Sequence, residues 1–253
     1  GFFLNMGFVV LANSLRGALI FFPSVGDFPI MTQRGIFHGE RIGFGLLGFE
    51  QFIFEGRFVM TSTEHKSGTD RVFEAYKKIT EALGTDYDVV INVQGDEPFI
   101  AAQQIRAVQD CFMDPQTDIA TLVKPFAPQA GLTALENPNS PKVVVSPEGR
   151  ALYFSRSVIP FLRGVPREEW LSRHTFYKHI GLYAYRPEVL AAITSLPQSP
   201  LELAESLEQL RWLEAGYNIR VGLTDTETIG IDTPEDLCKA EQFLASHSKK
   251  VKD

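Results

Sequence analysis

The sequence predicts an α/β protein: a mostly parallel central sheet flanked by helices, with an inserted antiparallel region. Three observations predict it. Short Val/Ile-rich runs alternate with segments of helical period, the pattern that builds a parallel sheet with covering helices. The alternation breaks over about residues 123–188, where a turn flanked by two strand patterns reads as a hairpin. The length, 253 residues with 44% hydrophobic and 22% charged content, suits one large globular domain spanning 1–253 and excludes a disordered chain.

Each element has its own reason. Thr69 to Leu83 places Val72, Tyr76, Ile79 and Leu83 at helical spacing, with Ser67 or Thr69 as cap and Gly84 as stop. Tyr87 to Val93 is an apolar strand of the kind buried inside a sheet. A helix follows from about Ala101 to Phe112, and a strand from Asp118 to Lys124. Lys142–Ser146 and Ala151–Ser155 flank the turn Pro147-Glu148-Gly149-Arg150. Phe176 to Tyr185 is a strand. Pro200 to Ala215 is expected as one helix, with Leu203, Leu207 and Leu210 as its buried stripe. Asn218 to Leu223 is a strand, and Thr233-Pro234-Glu235-Asp236 starts a helix. Trp170, Trp212, Cys111 and Cys238 read as packing residues.

Charge and cysteine usage exclude several function classes. A net charge of −7 argues against a nucleic-acid binder, which needs a basic face. Two cysteines make neither a disulfide framework nor a Cys-rich zinc site, which fits a reducing cytoplasm. The charge-free run from Gly1 to Leu15 is too short for a membrane span, and no export signal is expected. Residues 1–58 stand apart: they hold 12 of the 20 Phe, four Arg and no Lys, at about half the charge density of the rest.

Four motifs carry possible chemistry. Val93-Gln94-Gly95-Asp96-Glu97-Pro98 follows a buried strand, at the end where open α/β sheets bind ligands. Asp96 there is either a solvated loop acid or a ligand for a hard cation bridging a substrate phosphate. Asp232, in Gly230-Ile231-Asp232-Thr233-Pro234, is either a neighbour of a helix cap or a second carboxylate for the same ion. His65-Lys66-Ser67-Gly68-Thr69-Asp70-Arg71 runs into a helix N-terminus, which serves ordinary capping or seats a polar ligand. Arg156, His179, Tyr183, Glu208 and Gln209 are either individual surface or satisfied core polar residues or one polar set: the even spacing of 179 and 183 puts both on one strand face, and an Arg suits a substrate carboxylate.

From Val59 to about Leu244 the chain resembles the 3-deoxy-manno-octulosonate cytidylyltransferases, or CMP-Kdo synthetases. The matching residues are His65-Lys66-Ser67-Gly68-Thr69-Asp70-Arg71, Asn92-Val93-Gln94-Gly95-Asp96-Glu97-Pro98, Ala151-Leu152-Tyr153-Phe154-Ser155-Arg156, His179-Ile180-Gly181-Leu182-Tyr183, Leu207-Glu208-Gln209-Leu210-Arg211 and Ile231-Asp232-Thr233-Pro234-Glu235-Asp236. The resemblance implies a nucleotide-diphospho-sugar transferase fold, Rossmann-like, in which the inserted region makes a homodimer. It implies transfer of CMP from CTP to the 2-hydroxyl of Kdo, with Mg²⁺, in the cytoplasm, for lipopolysaccharide biosynthesis. On this reading Asp96 and Asp232 are catalytic metal ligands. Ser67, Gly68, Arg71 and Gln94 bind the nucleotide. Arg156, His179, Tyr183, Glu208 and Gln209 bind Kdo. No nucleic-acid or membrane partner is implied.

Residues 1–58 depart from the family pattern. The family opens on a strand and a loop with Pro-Ala-Arg and Pro-Gly-Lys, whose Arg and Lys hold the triphosphate. Here that place reads Val9-Val10-Leu11-Ala12-Asn13-Ser14-Leu15-Arg16, then Phe21-Phe22-Pro23. No triphosphate ligand is carried onto this segment. This departure favours the alternative of a catalytically silent nucleotide- or sugar-binding dimer; a cytidylyltransferase for another acidic sugar is the alternative among enzymes.

Overall fold

The structure is a computed structural model. It describes residues 59, 61–65, 67–93 and 100–226 with side chains, and 7–12, 18–21, 42–44, 52–54 and 94 as backbone. The chain divides into two units, Gly1–Pro98 with Ile229–Asp253, and Phe99–Thr228.

The first unit holds strands β1 (Gly7–Ala12), β2 (Ala18–Phe21), β3 (Ile42–Phe44) and β4 (Phe52–Phe54), helix α1 (Gly68–Leu83) and strand β5 (Val89–Gln94). β1 pairs antiparallel with both β2 and β5, and β3 pairs antiparallel with β4. α1 begins and ends where its sequence requires. The Ser67 hydroxyl accepts the Asp70 N–H, and Gly84 closes the helix in the left-handed region at φ 59°, which favours glycine. Thr69, Val72, Ala75 and Ile79 form the buried face. Val90 and Ile91 of β5 are fully buried.

The second unit runs α2 (Ala102–Asp110), β6 (Ile119–Pro125), α3 (Gly131–Glu136), β7 (Lys142–Val145), β8 (Ala151–Ser155), α4 (Trp170–Arg173), β9 (Tyr177–Tyr185), α5 (Pro187–Ile193), α6 (Pro200–Glu205), α7 (Gln209–Glu214) and β10 (Ile219–Leu223). β6 lies between β10, which is parallel to it, and β9, which is antiparallel. The expected hairpin is present: β7 pairs antiparallel with β8, and Gly149 takes φ +78° in the turn. β7 also pairs with β9. Under the inserted segment Trp170 stacks on Phe176 at 6.0 Å, closing a small core with Leu135.

Two expectations are modified. The sheet is mixed rather than mostly parallel: among the described pairings only β10 with β6 is parallel. β6 and β9 are joined through the inserted hairpin, so β9 returns in the opposite direction. The helix expected over 200–215 is two helices. Ser206 adopts φ 51°, the left-handed region, and breaks it. Leu207 and Leu210 are buried as expected, but Leu203 is 61% exposed. Polar contacts impose the break, because Glu205 turns to β8 while Glu202 is buried against Arg211.

Candidate active site

The motif expected on the nucleotide side sits at the start of α1. Ser67 is its cap, and Gly68 is its first residue, where a Cβ would meet the Asn92 amide nitrogen at 3.9 Å. That is ordinary contact distance, so packing alone does not require glycine here. Arg71 staples the preceding segment: its guanidinium donates to the Thr61 hydroxyl at 3.1 Å and the Ser62 carbonyl at 3.2 Å. Glu74, one turn further on, accepts from the Ser62 N–H at 2.9 Å and also bonds the His65 ring and Lys78. The Lys78 ammonium, joined by Ser62 and His65, holds the Glu74 carboxyl down at about 2 against the opposing effect of burial. Gln94 closes β5, with its backbone opposite Gly7 of β1. Asp96 and Asp232 lie outside the described residues. Among the described residues no group of three His, Cys, Asp or Glu side chains could hold a metal ion.

The set expected to bind the sugar lies entirely within the second unit, at the end of β8, on β9 and at the break between α6 and α7. Arg156 directly follows β8, and its guanidinium donates to the Glu205 carbonyl at 2.6 Å, the Pro138 carbonyl at 3.0 Å and the Ser206 carbonyl at 3.2 Å. A guanidinium has five N–H donors, so two have no partner among the described residues. Glu205 fixes the same corner by accepting from the Ser155 hydroxyl at 2.6 Å and the Arg156 N–H at 2.9 Å. Lys142, fully buried, donates to the Arg156 carbonyl at 2.6 Å and the Asn137 carbonyl at 3.1 Å. Burial pulls its ammonium pKa below the usual range.

His179 and Tyr183 are brought together more closely than a regular strand allows. Four residues of straight strand span about 13 Å, yet the two rings are 5.3 Å apart. β9 bulges here: Thr121 of β6 is opposite Tyr183, while its neighbour Leu122 is opposite Ile180. Burial pulls the His179 imidazole down to about 3. Burial, reinforced by Tyr185 and Glu208, pushes the Tyr183 phenol well above its ordinary value. The Tyr183 hydroxyl lies near Thr121 without the geometry of a hydrogen bond. Trp212 meets the Tyr183 ring edge-on at 5.1 Å.

Glu208 and Gln209 open α7. Arg211 donates to Glu208 at 3.2 Å and to buried Glu202 at 2.8 Å, which orients the Glu208 carboxylate. Gln209 is buried, and its amide nitrogen has no hydrogen-bond partner among the described residues. An orphaned buried donor carries a desolvation cost of about 1–3 kcal/mol, which a ligand acceptor would relieve.

Sequence reasoning missed Thr121, Lys142, Glu205 and Arg211, which hold this set in place. Two of them carried a signal. Thr121 is the one polar residue inside Ile119-Ala120-Thr121-Leu122-Val123, and Lys142 opens an otherwise apolar Val run. A polar residue in a buried strand needs a partner.

The cytidylyltransferase family model matches residues 49–223. A 3-deoxy-manno-octulosonate cytidylyltransferase of Phocaeicola vulgatus is 68% identical over 191 residues, covering 76% of this chain and 74% of that protein. One of Bacteroides thetaiotaomicron is 64% identical over 195 residues, covering 77% and 76%. The chain belongs to the 3-deoxy-manno-octulosonate cytidylyltransferase family. A solved CMP:2-keto-3-deoxy-manno-octonic acid synthetase complexed with CTP has the same fold, with a TM-score of 0.65 and 38% identity over 76% of this chain and 73% of that one. The family match begins at residue 49, close to the composition boundary near 58, and each of these relatives leaves about a quarter of the chain unaligned.

Proposed function

We propose that this chain transfers CMP from CTP to the 2-hydroxyl of Kdo, giving CMP-Kdo and pyrophosphate for lipopolysaccharide biosynthesis. The observation that carries the reading is 68% identity over 191 residues to a 3-deoxy-manno-octulosonate cytidylyltransferase. The second unit adds chemical support. Among the described residues, an Arg with two unpaired donors, a buried amide nitrogen without a partner and an oriented carboxylate suit a ligand that carries one carboxylate and several hydroxyls. Arg156 takes the sugar carboxylate, while Glu208 and Gln209 take hydroxyls. Ser67 and Arg71 shape the loop that receives the cytosine side of CTP.

Attack of the sugar hydroxyl on the α-phosphorus builds negative charge on the phosphate oxygens and the leaving pyrophosphate. Asp96 and Asp232 are the residues that would hold Mg²⁺, since two carboxylates are a hard-oxygen donor set. The ion would neutralise phosphate charge and lower the attacking hydroxyl's pKa. We assign the enzyme to the cytoplasm, as a homodimer. No helix among the described residues is long and apolar enough to cross a membrane. The test is pyrophosphate release with CTP, Kdo and Mg²⁺, run beside other nucleotides and other acidic sugars. Release is expected with CTP plus Kdo, with CMP-Kdo identified by mass. No release with that pair, or faster release with another acidic sugar, overturns the reading.

A further inference from the structure

The Thr121 hydroxyl makes three close polar contacts in the bulge of β9. Its oxygen is 2.9 Å from His179 Nε2, 2.9 Å from the Leu182 carbonyl oxygen and 3.2 Å from the Ile180 carbonyl oxygen. A hydroxyl has one proton, and a carbonyl oxygen can only accept. The Thr121 proton therefore goes to the two carbonyls, and its lone pair faces His179. In that arrangement Nε2 carries the ring's hydrogen and Nδ1 is an acceptor; the contact with Thr121 is the one side-chain hydrogen bond of His179 among the described residues.

We propose that Thr121 is a positioning residue that holds His179 in its Nε2-protonated form and so makes Nδ1 a fixed acceptor for a hydroxyl of the sugar acid. The proposal rests on the reading of this cluster as the sugar-acid subsite. It divides the labour there. An uncharged ring with a bare Nδ1 accepts from a hydroxyl and repels a carboxylate, so the carboxylate is left to Arg156. The same bond anchors the bulge that brings His179 within 5.3 Å of Tyr183. Desolvation keeps the ring neutral throughout the working pH range.

The test begins with ¹⁵N NMR of the histidine ring nitrogens in the full-length wild-type protein. At pH 7.5 the His179 signals are expected to show a protonated Nε2 and a bare Nδ1, without charging down to pH 5. A protonated Nδ1, or an exchanging mixture of tautomers, overturns the proposal. Thr121→Val keeps the shape and removes the bond. It is expected to mix the tautomers and raise the KM for Kdo about 10-fold, the order expected for one hydrogen bond, while the KM for CTP stays within about 2-fold. Thr121→Ser is expected to restore both tautomer and KM. An unchanged KM for Kdo in Thr121→Val overturns the role of Thr121. The subsite reading fails separately if His179→Phe turns over Kdo with an unaltered KM. Should Thr121→Val not fold, the wild-type spectrum and the Ser variant still decide.

Discussion

The segment that opens α1 and the cluster around the break between α6 and α7 are both rich in polar side chains, but they use them differently. At α1 these side-chain bonds support the chain itself: Ser67 caps the helix, and one guanidinium nitrogen of Arg71 holds Thr61 and Ser62. In the second unit the supporting residues Lys142, Glu205 and Arg211 bond to the protein, while among the described residues the Gln209 amide nitrogen and the Arg211 Nε are buried donors without a partner. A helix N-terminus can recognise a ligand through backbone amides, so its side chains are free to build structure. A subsite for a polyhydroxylated acid needs side-chain donors and acceptors, and leaving them unpaired costs stability in the empty protein.

The largest expected effect comes from residues that belong to neither region. Asp96→Asn or Asp232→Asn should lower kcat by about 10³-fold, comparable to removing a principal charge-stabilising group, with an unchanged melting temperature. Changes within either region should instead raise the KM of one substrate. Steady-state kinetics and a thermal scan on each variant check this, and near-normal turnover in either one breaks the metal assignment.

Next in size is Arg156, which on the proposed reading serves both purposes. Lysine cannot reproduce the planar fork that reaches three carbonyls. Arg156→Lys should raise the KM for Kdo by roughly 100-fold, the loss of a bidentate charged contact, and destabilise the fold by about 2 kcal/mol. A variant with lower stability and normal Kdo affinity would make Arg156 purely structural and move it to the α1 side of the comparison.

The comparison is sharpest between Ser67 and Gln209. Ser67→Ala removes a cap and should cost about 1 kcal/mol of stability, with the KM for CTP raised and that for Kdo unchanged. Gln209→Leu removes the orphaned donor and should leave stability unchanged or improve it by about 1 kcal/mol, while raising the KM for Kdo. Urea unfolding of both variants beside their kinetics reads the opposite signs. Equal destabilisation would mean that the Gln209 amide has a structural partner after all.

Where local chemistry decides the structure, the sequence was legible. The cap at Ser67, the stop at Gly84 and the hairpin turn at Gly149 are set by neighbouring residues. So are the strand runs, whose Val/Ile content shows directly. What escaped is set by distant partners. Ser206 carries no mark of its left-handed conformation; Glu205 reaching Ser155 and Arg156, some fifty residues away, holds the break. The bulge between 180 and 183 is likewise fixed from another strand, by Thr121. The five residues expected on the sugar side could be named from motif resemblance, but not the contacts that hold them. The carboxylates at 96 and 232 were named from the same motifs and lie outside the described residues.

The smallest effect concerns the network under the nucleotide-side loop. The Glu74 carboxyl is held at about 2, below its ordinary 4.5, first by Lys78 and then by Ser62 and His65. A depressed carboxylate pKa means that the unfolded chain binds the proton more readily than the native one. Its contribution is therefore fully present above about 4.5 and is lost as pH falls toward about 2. Because the side chain is partly solvent-screened, the contribution should be about 1 kcal/mol or less. Glu74→Gln should lower the melting temperature by a few degrees at pH 7, and the gap from wild type should narrow between pH 4.5 and 2. Its KM for CTP should rise slightly, because the loop loses its tie at Ser62, and its KM for Kdo should not move. A gap that persists undiminished at pH 2 would show that packing, not the ion pair with Lys78, makes Glu74 stabilising.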